Sequence, residues 1–484
     1  MSTKAKRNVG AGACKSGLHR TVLLTGARAP VTLDMARSFW RAGWRVICAD
    51  SVPTTFCSFS RCVELHATLP SPATALQDFT QALESLIEEH GVTWVIPMCE
   101  EVLYVSQIKE ALEARFPVRI FTMPFRAIEP LHNKWSFEQL LRSCGEQSDE
   151  ALPRSCGSQS DEALPRTPLG SCAPQPPALG VYRFLSPRTW LLHGQKDLAC
   201  LPLDQKLIFK RVYSRFAAGH QVIEAGQPIP DLEWIHENPW IAQEFIEGER
   251  LCSYSISHEG VLSAHSAYRV LQSIGKIGSA VAFESIGSDP VRSFVQAFVQ
   301  KTCYTGQICF DFLLTEQGDL YCLECNPRAT SGVHLFQCCP ELAHAILDEG
   351  TALLEPPVGE LYREPLLTLW HGLWQGTIFA RPMWRALCRG RNLLKASFDS
   401  GPTKHVPKIL WSVIKTCLRS NKGFHEVTTR DLEFNGICSP LATSESSVLS
   451  QMVGAGERSS PAEHEAEPHQ AAIRRIEVEP RKEE

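Results

Sequence analysis

Residues 307–326, "QICFDFLLTEQGDLYCLECN", set two apolar runs on either side of the polar stretch Glu316-Gln317-Gly318-Asp319. Runs of this length around such a stretch predict an antiparallel hairpin, with Gly318 supplying the left-handed conformation that a tight turn needs. With the turn centred between Gln317 and Gly318, facing residues have numbers that sum to 635, so Asp311 lies opposite Glu324. Two carboxylates about 5 Å apart across a ladder, among Phe310, Phe312, Leu313 and Leu323, repel strongly. Either one is protonated or a cation sits between them. Asn326 shares a face with Glu324 because strand side chains alternate, and its carbonyl oxygen is a third hard donor. Three oxygen donors suit magnesium, and Arg328, just past the strand, offers a planar fork for phosphate oxygens. The plainer alternative has both acids solvated, with Arg328 pairing to one of them.

Upstream, "TVLLTGARAPVTLDMARSFWRAGWRVICAD" from Thr21 to Asp50 reads as strand, loop, helix and strand. Leu76, Phe79, Leu83 and Leu86 line one face of a second helix, followed by the strand "VTWVIPM" and the acids Glu100 and Glu101. Those acids stand at a strand's carboxyl end, where α/β sheets bind ligands, and serve equally as helix-start residues. With "VRIFTMP" this gives a small parallel-sheet domain over residues 21–125. The loop after Thr25 holds Gly26 but lacks the second and third glycines of a dinucleotide fingerprint, which argues against an NAD(P)-binding oxidoreductase. Strands dominate from Gln205 to Phe336, and after Cys339 the chain turns helical, with Trp370, Trp374, Trp384, Leu393, Leu394, Trp411 and Ile414 in amphipathic spacing. "RSCGEQSDEALP" from Arg142 is followed at once by "RSCGSQSDEALP". Two polar copies cannot bury a face, so this is a loop insertion, near 142–180, and not a solenoid.

The 48 basic and 53 acidic residues leave a net charge of −5, which recommends neither nucleic acid nor membrane and leaves small molecules as ligands. The 19 cysteines are scattered, many in apolar runs, and read as reduced core residues of a cytoplasmic protein. Residues 1–20 are a basic leader without an apolar core, and 437–484 a polar, Ser- and Glu-rich disordered tail. "LLTLWHGLWQGTIFARPMW" is interrupted by His371 and Arg381 and is too short to span a bilayer.

The Asp311, Glu324, Asn326, Arg328 pattern resembles the metal-binding hairpin of the ATP-grasp superfamily, in branches similar to carbamoyl-phosphate synthase and D-alanine:D-alanine ligase. The resemblance covers Thr21 to Phe336. "LHNKWSFEQLL" is similar to the helix start that supplies a nucleotide lysine, here Lys134, and "LPRT" (Leu164 to Thr167) to the link that follows. "LIFKRVYSRFAAGH" is similar to the strand carrying a second lysine, Lys210, and then a phosphate loop with Ser214, Ala217, Ala218 and Gly219. "WIAQEFIEGERLCSYSI" is similar to the strand whose backbone at Glu244, Phe245 and Ile246 meets adenine; Arg250 stands where the ribose-binding acid is expected, leaving Glu249 as the candidate. "TTRDLEFNG", Thr428 to Gly436, resembles endings of some uncharacterised ATP-grasp proteins.

The resemblance implies a multidomain α/β and α+β chain. Its parts are a Rossmann-like pre-ATP-grasp domain (21–125), an ATP-grasp domain (126–345) and a helical C-terminal region (346–436). It implies ATP with magnesium, or manganese, on Asp311, Glu324 and Asn326. Lys210 and Arg328 would act in catalysis, a carboxylate and an amine would be joined through an acyl phosphate, and the assembly could be a homodimer. Tyr268, Arg269 and His334 are candidate substrate contacts, with a surface pair and a core histidine as the plainer readings. A non-catalytic ATP-binding module keeping the same fold is the alternative.

Overall fold

A computed structural model of the chain describes residues 20–144, 184–214, 219–273, 280–350, 352–374, 376, 380–420 and 424–436. The basic leader before Arg20, the duplicated insertion beyond Cys144, Ala217 and Ala218, and the 437–484 tail lie outside the described residues.

The first strands are β1 (Thr21–Leu24), β2 (Arg45–Asp50), β3 (Leu65–Thr68), β4 (Val92–Ile96) and β5 (Arg119–Ile120). They form one parallel sheet in the order β3-β2-β1-β4-β5, the doubly wound arrangement that alternating strand and helix patterns dictate. Helices α1 (Pro30–Arg41), α2 (Leu76–His90) and α3 (Val102–Arg115) make the crossovers. In α2, Leu76, Phe79 and Leu83 are buried as expected, but Ile87 replaces Leu86 at the centre of the inner face, with Leu86 only half-buried. Gly26 is left-handed, at φ 65°, and a Cβ there would lie 2.9 Å from both Cys99 Sγ and Glu101 Oε1. Packing against the β4 end therefore accounts for this glycine.

Helices α4 (Phe125–His132) and α5 (Lys134–Cys144) lead into a small antiparallel sheet. Its strands are β6 (Thr189–Leu192), β7 (Leu207–Arg211), β8 (Gln221–Ile223) and β9 (Trp240–Glu244), in the order β6-β9-β7-β8. A larger sheet follows, from β10 (Glu249–His258), β11 (Val261–Ser273), β12 (Ala280–Ile286), β13 (Gly306–Leu314) and β14 (Leu320–Asn326). Helix α6 (Asp289–Thr302) covers it, with Phe294 and Phe298 set edge-on against Phe310 at 5.3 and 5.1 Å.

Helices α7 (Pro340–Leu347), α8 (Pro365–Trp374), α9 (Arg381–Arg389), α10 (Gly401–Lys404), α11 (Val406–Ser420) and α12 (Phe424–Thr429) fill the C-terminal region. That region is not purely helical: β15 (Leu361–Arg363) and β16 (Arg391–Asn392) extend the large sheet beyond β12. Runs of three and two residues are too short to show a period in the sequence.

A buried ionic cluster ties this region to α1. Arg37, fully buried, holds Asp34 Oδ1 at 3.0 Å and Asp399 Oδ2 at 2.9 Å. Ser60 Oγ donates to the same Asp399 oxygen at 2.7 Å, and His334 Nδ1 lies 2.6 Å from Asp34 Oδ2. Burial works to raise the Asp34 carboxyl, but His334 and Arg37 outweigh it and hold it below the ordinary value. A depressed carboxyl stabilises the fold above its unfolded pKa of about 3.9 and loses that contribution as pH falls further. The stability gap between wild type and Asp34→Asn should therefore be full near neutrality and close below about pH 4, in urea titrations across pH. A gap that is constant with pH would remove this role from Asp34.

The segment Thr428 to Gly436 crosses the carboxyl ends of the parallel strands. Arg28 Nη2 meets Asp431 Oδ2 at 2.6 Å, and its Nε donates to Asp50 Oδ1 at 2.9 Å. Ser71 Oγ donates to the Asp431 carbonyl at 2.8 Å, and the Phe434 ring lies among Tyr104, Phe125 and Tyr213. Glu100 Oε1 lies 2.9 Å from His132 Nε2 and 3.4 Å from the Phe434 amide. The Glu101 carboxylate accepts from Thr25 Oγ1 and from the Met98 and Cys99 amides. Both acids thus bond within the fold beneath this segment; Glu101 stands at the start of α3 but makes no side-chain cap bond there.

Thirteen described cysteines are free, ten of them buried, as expected for core thiols. Cys200 and Cys303 depart from that expectation, each being disulfide-bonded; Cys200 ends a short 3-10 turn and Cys303 caps α6, so neither lies within a strand.

Candidate functional site

The hairpin forms, and Asp311 faces Glu324. Its register differs from the simple expectation: near the turn the facing numbers sum to 634, as in Leu314 with Leu320, and a bulge at Leu323 restores 635 from Asp311 onward. Centring the turn one half-residue late and missing the bulge cancelled each other. Bulges re-aim side chains beside functional sites, and this one sets Asp311, Glu324 and Asn326 on one face.

Two lysines close on that face. Asn133 Oδ1 accepts from the Ser136 amide at 3.0 Å, capping α5 and fixing Lys134 at its first position. Lys134 Nζ donates to the Ser214 carbonyl at 3.0 Å and stands 3.7 Å from Glu324 Oε2. Lys210, buried on β7, donates to Gln243 Oε1 at 2.7 Å, and Gln243 Nε2 donates to Thr189 Oγ1 at 3.0 Å. The Leu185 carbonyl, in the approach to β6, accepts from the Cys322 amide at 2.9 Å and joins the β14 edge to the smaller sheet.

The electrostatics follow from this crowding. Burial, then the facing Glu324 charge, raises the Asp311 carboxyl well above the usual range. Glu324 is also pushed up by burial, but Lys134, the hydrogen bond from Asp311 and Lys210 outweigh this and keep it ionised. In the absence of a cation the pair therefore keeps its last proton up to near-neutral pH. Lys210 is pulled down to about 8, by burial and by Lys134, against Glu324 and Asp311. His220 falls to about 3 through burial and the two lysines, so its imidazole is neutral at physiological pH.

Arg328 donates through Nη2 to Asn326 Oδ1 at 3.1 Å and through Nη1 to the Ala329 carbonyl at 3.2 Å. Its Nε is buried with no hydrogen-bond partner among the described residues, and with two of five N–H groups engaged the fork keeps donors for an anion. Among the described residues no group of three or more His, Cys, Asp or Glu could hold a metal ion. The donor set here is instead two carboxylates and an amide. A shared proton on opposed carboxylates is the situation that a hard cation relieves, so these residues fit magnesium.

The adenine and ribose expectations divide. The Glu244 and Phe245 amides donate internally, to the carbonyls of Arg188 at 2.9 Å and Lys206 at 3.2 Å. The Ile246 amide makes no such bond among the described residues. Glu249 is not aimed at the site. Cys252 pairs with Asp311 and Leu251 with Phe312, so alternation along β10 puts Glu249 on the opposite face, where Arg269 binds it. An open cleft of about 330 Å³ lined by Glu249, Arg269 and Glu284 lies on that far side. Tyr268, opposite Cys252, is buried on the Asp311 face. His334 is buried on Asp34 and fills the core.

Sequence reasoning missed His220 and Gln243. An amide inside the apolar run "WIAQEF" is a legible signal, since a buried Gln needs partners. His220, three residues before the end of β8 at Ile223, carried no signal.

No protein-family model matches the chain, and no curated protein matches it. Solved structures do. An L-amino acid ligase from Bacillus licheniformis shares 14% identity over 66% of this chain and 69% of that one, at a TM-score of 0.45. An N5-carboxyaminoimidazole synthetase from Staphylococcus aureus, complexed with ADP, shares 12% over 74% and 85%, at 0.49. A biotin carboxylase from Campylobacter jejuni shares 14% over 70% and 74%, also at 0.49. Similarities of this depth assign no activity to the chain. The parallel sheet, the small antiparallel sheet and the large sheet, antiparallel except where β15 meets β16, match the α/β and α+β organisation expected from the sequence.

Proposed function

We propose that this chain is an ATP- and magnesium-dependent ligase that activates a carboxylate as an acyl phosphate for attack by an amine. The observation that carries the reading is the opposed pair Asp311 and Glu324 beneath Lys134 and Lys210. Asp311, Glu324 and Asn326 would hold the metal, and Asp311 would release its proton on binding. Magnesium, when bound, supplies neutralisation of phosphate charge.

Lys134, Lys210 and the free Nε of Arg328 bind phosphate oxygens and stabilise charge that develops during transfer. The Ile246 amide orients the base. A substrate carboxylate oxygen attacks the γ-phosphorus, the bond to the β–γ bridging oxygen breaks, and ADP leaves. The amine nitrogen then attacks the acyl carbon, the carbon–oxygen bond to phosphate breaks, and the amine's proton passes to solvent. Lys210 is protonated below its pKa of about 8, so phosphate binding should weaken as pH rises through that value. No side-chain nucleophile enters.

Incubation with ATP, magnesium and a mixture of carboxylic and amino acids should release ADP and phosphate together with a new C–N-linked product visible by mass spectrometry. ATP binding without turnover across a broad panel would instead favour a binding module, a reading that Glu249's outward position supports. A nicotinamide dinucleotide fits poorly at the first βα loop, where Arg28 and the C-terminal segment already occupy Asp50 and the crevice beside it.

A further inference from the structure

The net charge of −5 conceals an uneven distribution. Residues 365–420 hold nine Lys and Arg against one acid, Asp399, and Asp399 is fully buried on Arg37 and Ser60. On α11 the outward side chains are large and apolar: Leu410, Trp411, Ile414 and Leu418 are 40%, 63%, 45% and 75% exposed. At 3.6 residues per turn these four share one arc of about 100°, and Lys408, Lys415 and Arg419 follow on the adjoining arc. Ile409, on another side of the helix, is buried and anchors it. Lys404, Lys415 and Arg419 are exposed and have no ion-pair partner among the described residues. On α9, Trp384 is 58% exposed, beside exposed Arg381 and Arg385.

An exposed stripe of this kind calls for an occupant. A second copy joined through the same face would set Lys and Arg against Lys and Arg. An anionic lipid surface complements both halves: acyl chains take the apolar arc, the indole sits at headgroup level, and the cations meet lipid phosphates and carboxylates. We infer that α11 lies in the headgroup plane of an anionic phospholipid bilayer and docks the protein peripherally on it. This departs from the sequence expectation of no membrane partner, which averaged charge over the whole chain. Among the described residues no helix is long and apolar enough to cross a membrane, so the contact is a surface one.

The test is sedimentation of the full-length protein with vesicles of phosphatidylcholine alone and with about 30 mol% phosphatidylserine. Binding is expected to the anionic vesicles only, and to weaken with added salt. The double variant Trp411→Ser, Leu418→Ser should lose binding by more than about tenfold, and Lys415→Gln and Arg419→Gln should each cost roughly fivefold. All four side chains are exposed, so the thermal midpoint and ATP affinity of the variants should match wild type. No association with anionic vesicles at low salt would overturn the proposal, as would equal binding by the Trp411, Leu418 variant. A concentration-dependent dimer in sedimentation velocity, lost in that variant while vesicles are ignored, would assign the face to a second copy.

Discussion

Glu324→Gln is expected to lower ATP-dependent turnover by roughly 10²–10³-fold in a protein that still folds at assay temperature. Activity and folding separate because of how the pair is built. Glu324 is the member that stays ionised, held by Lys134 at 3.7 Å and by Lys210, and it faces Asp311 in register. An amide keeps the shape but carries no charge for a cation and leaves the two lysines without their counter-ion. It also ends the repulsion that forces a proton onto Asp311, so its carboxyl should return toward the ordinary range. A coupled assay of ADP release and a thermal melt on the same preparation give both numbers. Turnover within about twofold of wild type would remove the hairpin from the chemistry.

Arg37→Met should be the most damaging single change to stability, costing about 3–5 kcal/mol. The guanidinium is fully buried between Asp34 and Asp399 and also donates to the Leu394 carbonyl at 3.0 Å. Methionine fills much of the volume but leaves Asp399 buried without a cation and Asp34 with His334 alone, the case in which breaking an ion pair is expensive. Because the cluster joins α1 to the segment 394–399, the loss should also loosen the C-terminal region, seen as earlier proteolysis there. Adding Asp399→Leu to Arg37→Met should recover part of the loss, since one stranded charge is then removed. A fall below about 1 kcal/mol in urea unfolding would show that the cluster is not the clamp described here.

The parts of this molecule legible in the sequence are those set by short-range periodicity. The β1–α1–β2 unit and the pair Asp311 and Glu324 both follow from alternation and turn chemistry within some thirty residues. Lys134 and Lys210 were reached by resemblance, and the structure brings both to the pair. What was not legible depends on contacts far apart in the chain. The Arg28–Asp431 bridge spans 403 positions, and nothing local in "TTRDLEFNG" shows that it closes the parallel sheet's crevice. Glu249 failed for a local reason: choosing between it and Arg250 needed the strand register, since one step along β10 exchanges the faces. The basic, apolar surface of α11 was visible as amphipathic spacing, but only burial shows which side of the helix the protein leaves uncovered.

The proposed function stands on the hairpin carboxylates and the two lysines holding magnesium-ATP. Calorimetric titration of the full chain with ATP, with magnesium present and then chelated, tests it most directly. Saturable binding is expected, weakening at least about tenfold on chelation and similarly in Lys210→Met, each near 1.4 kcal/mol. No ATP binding, or binding indifferent to both magnesium and Lys210, would contradict it.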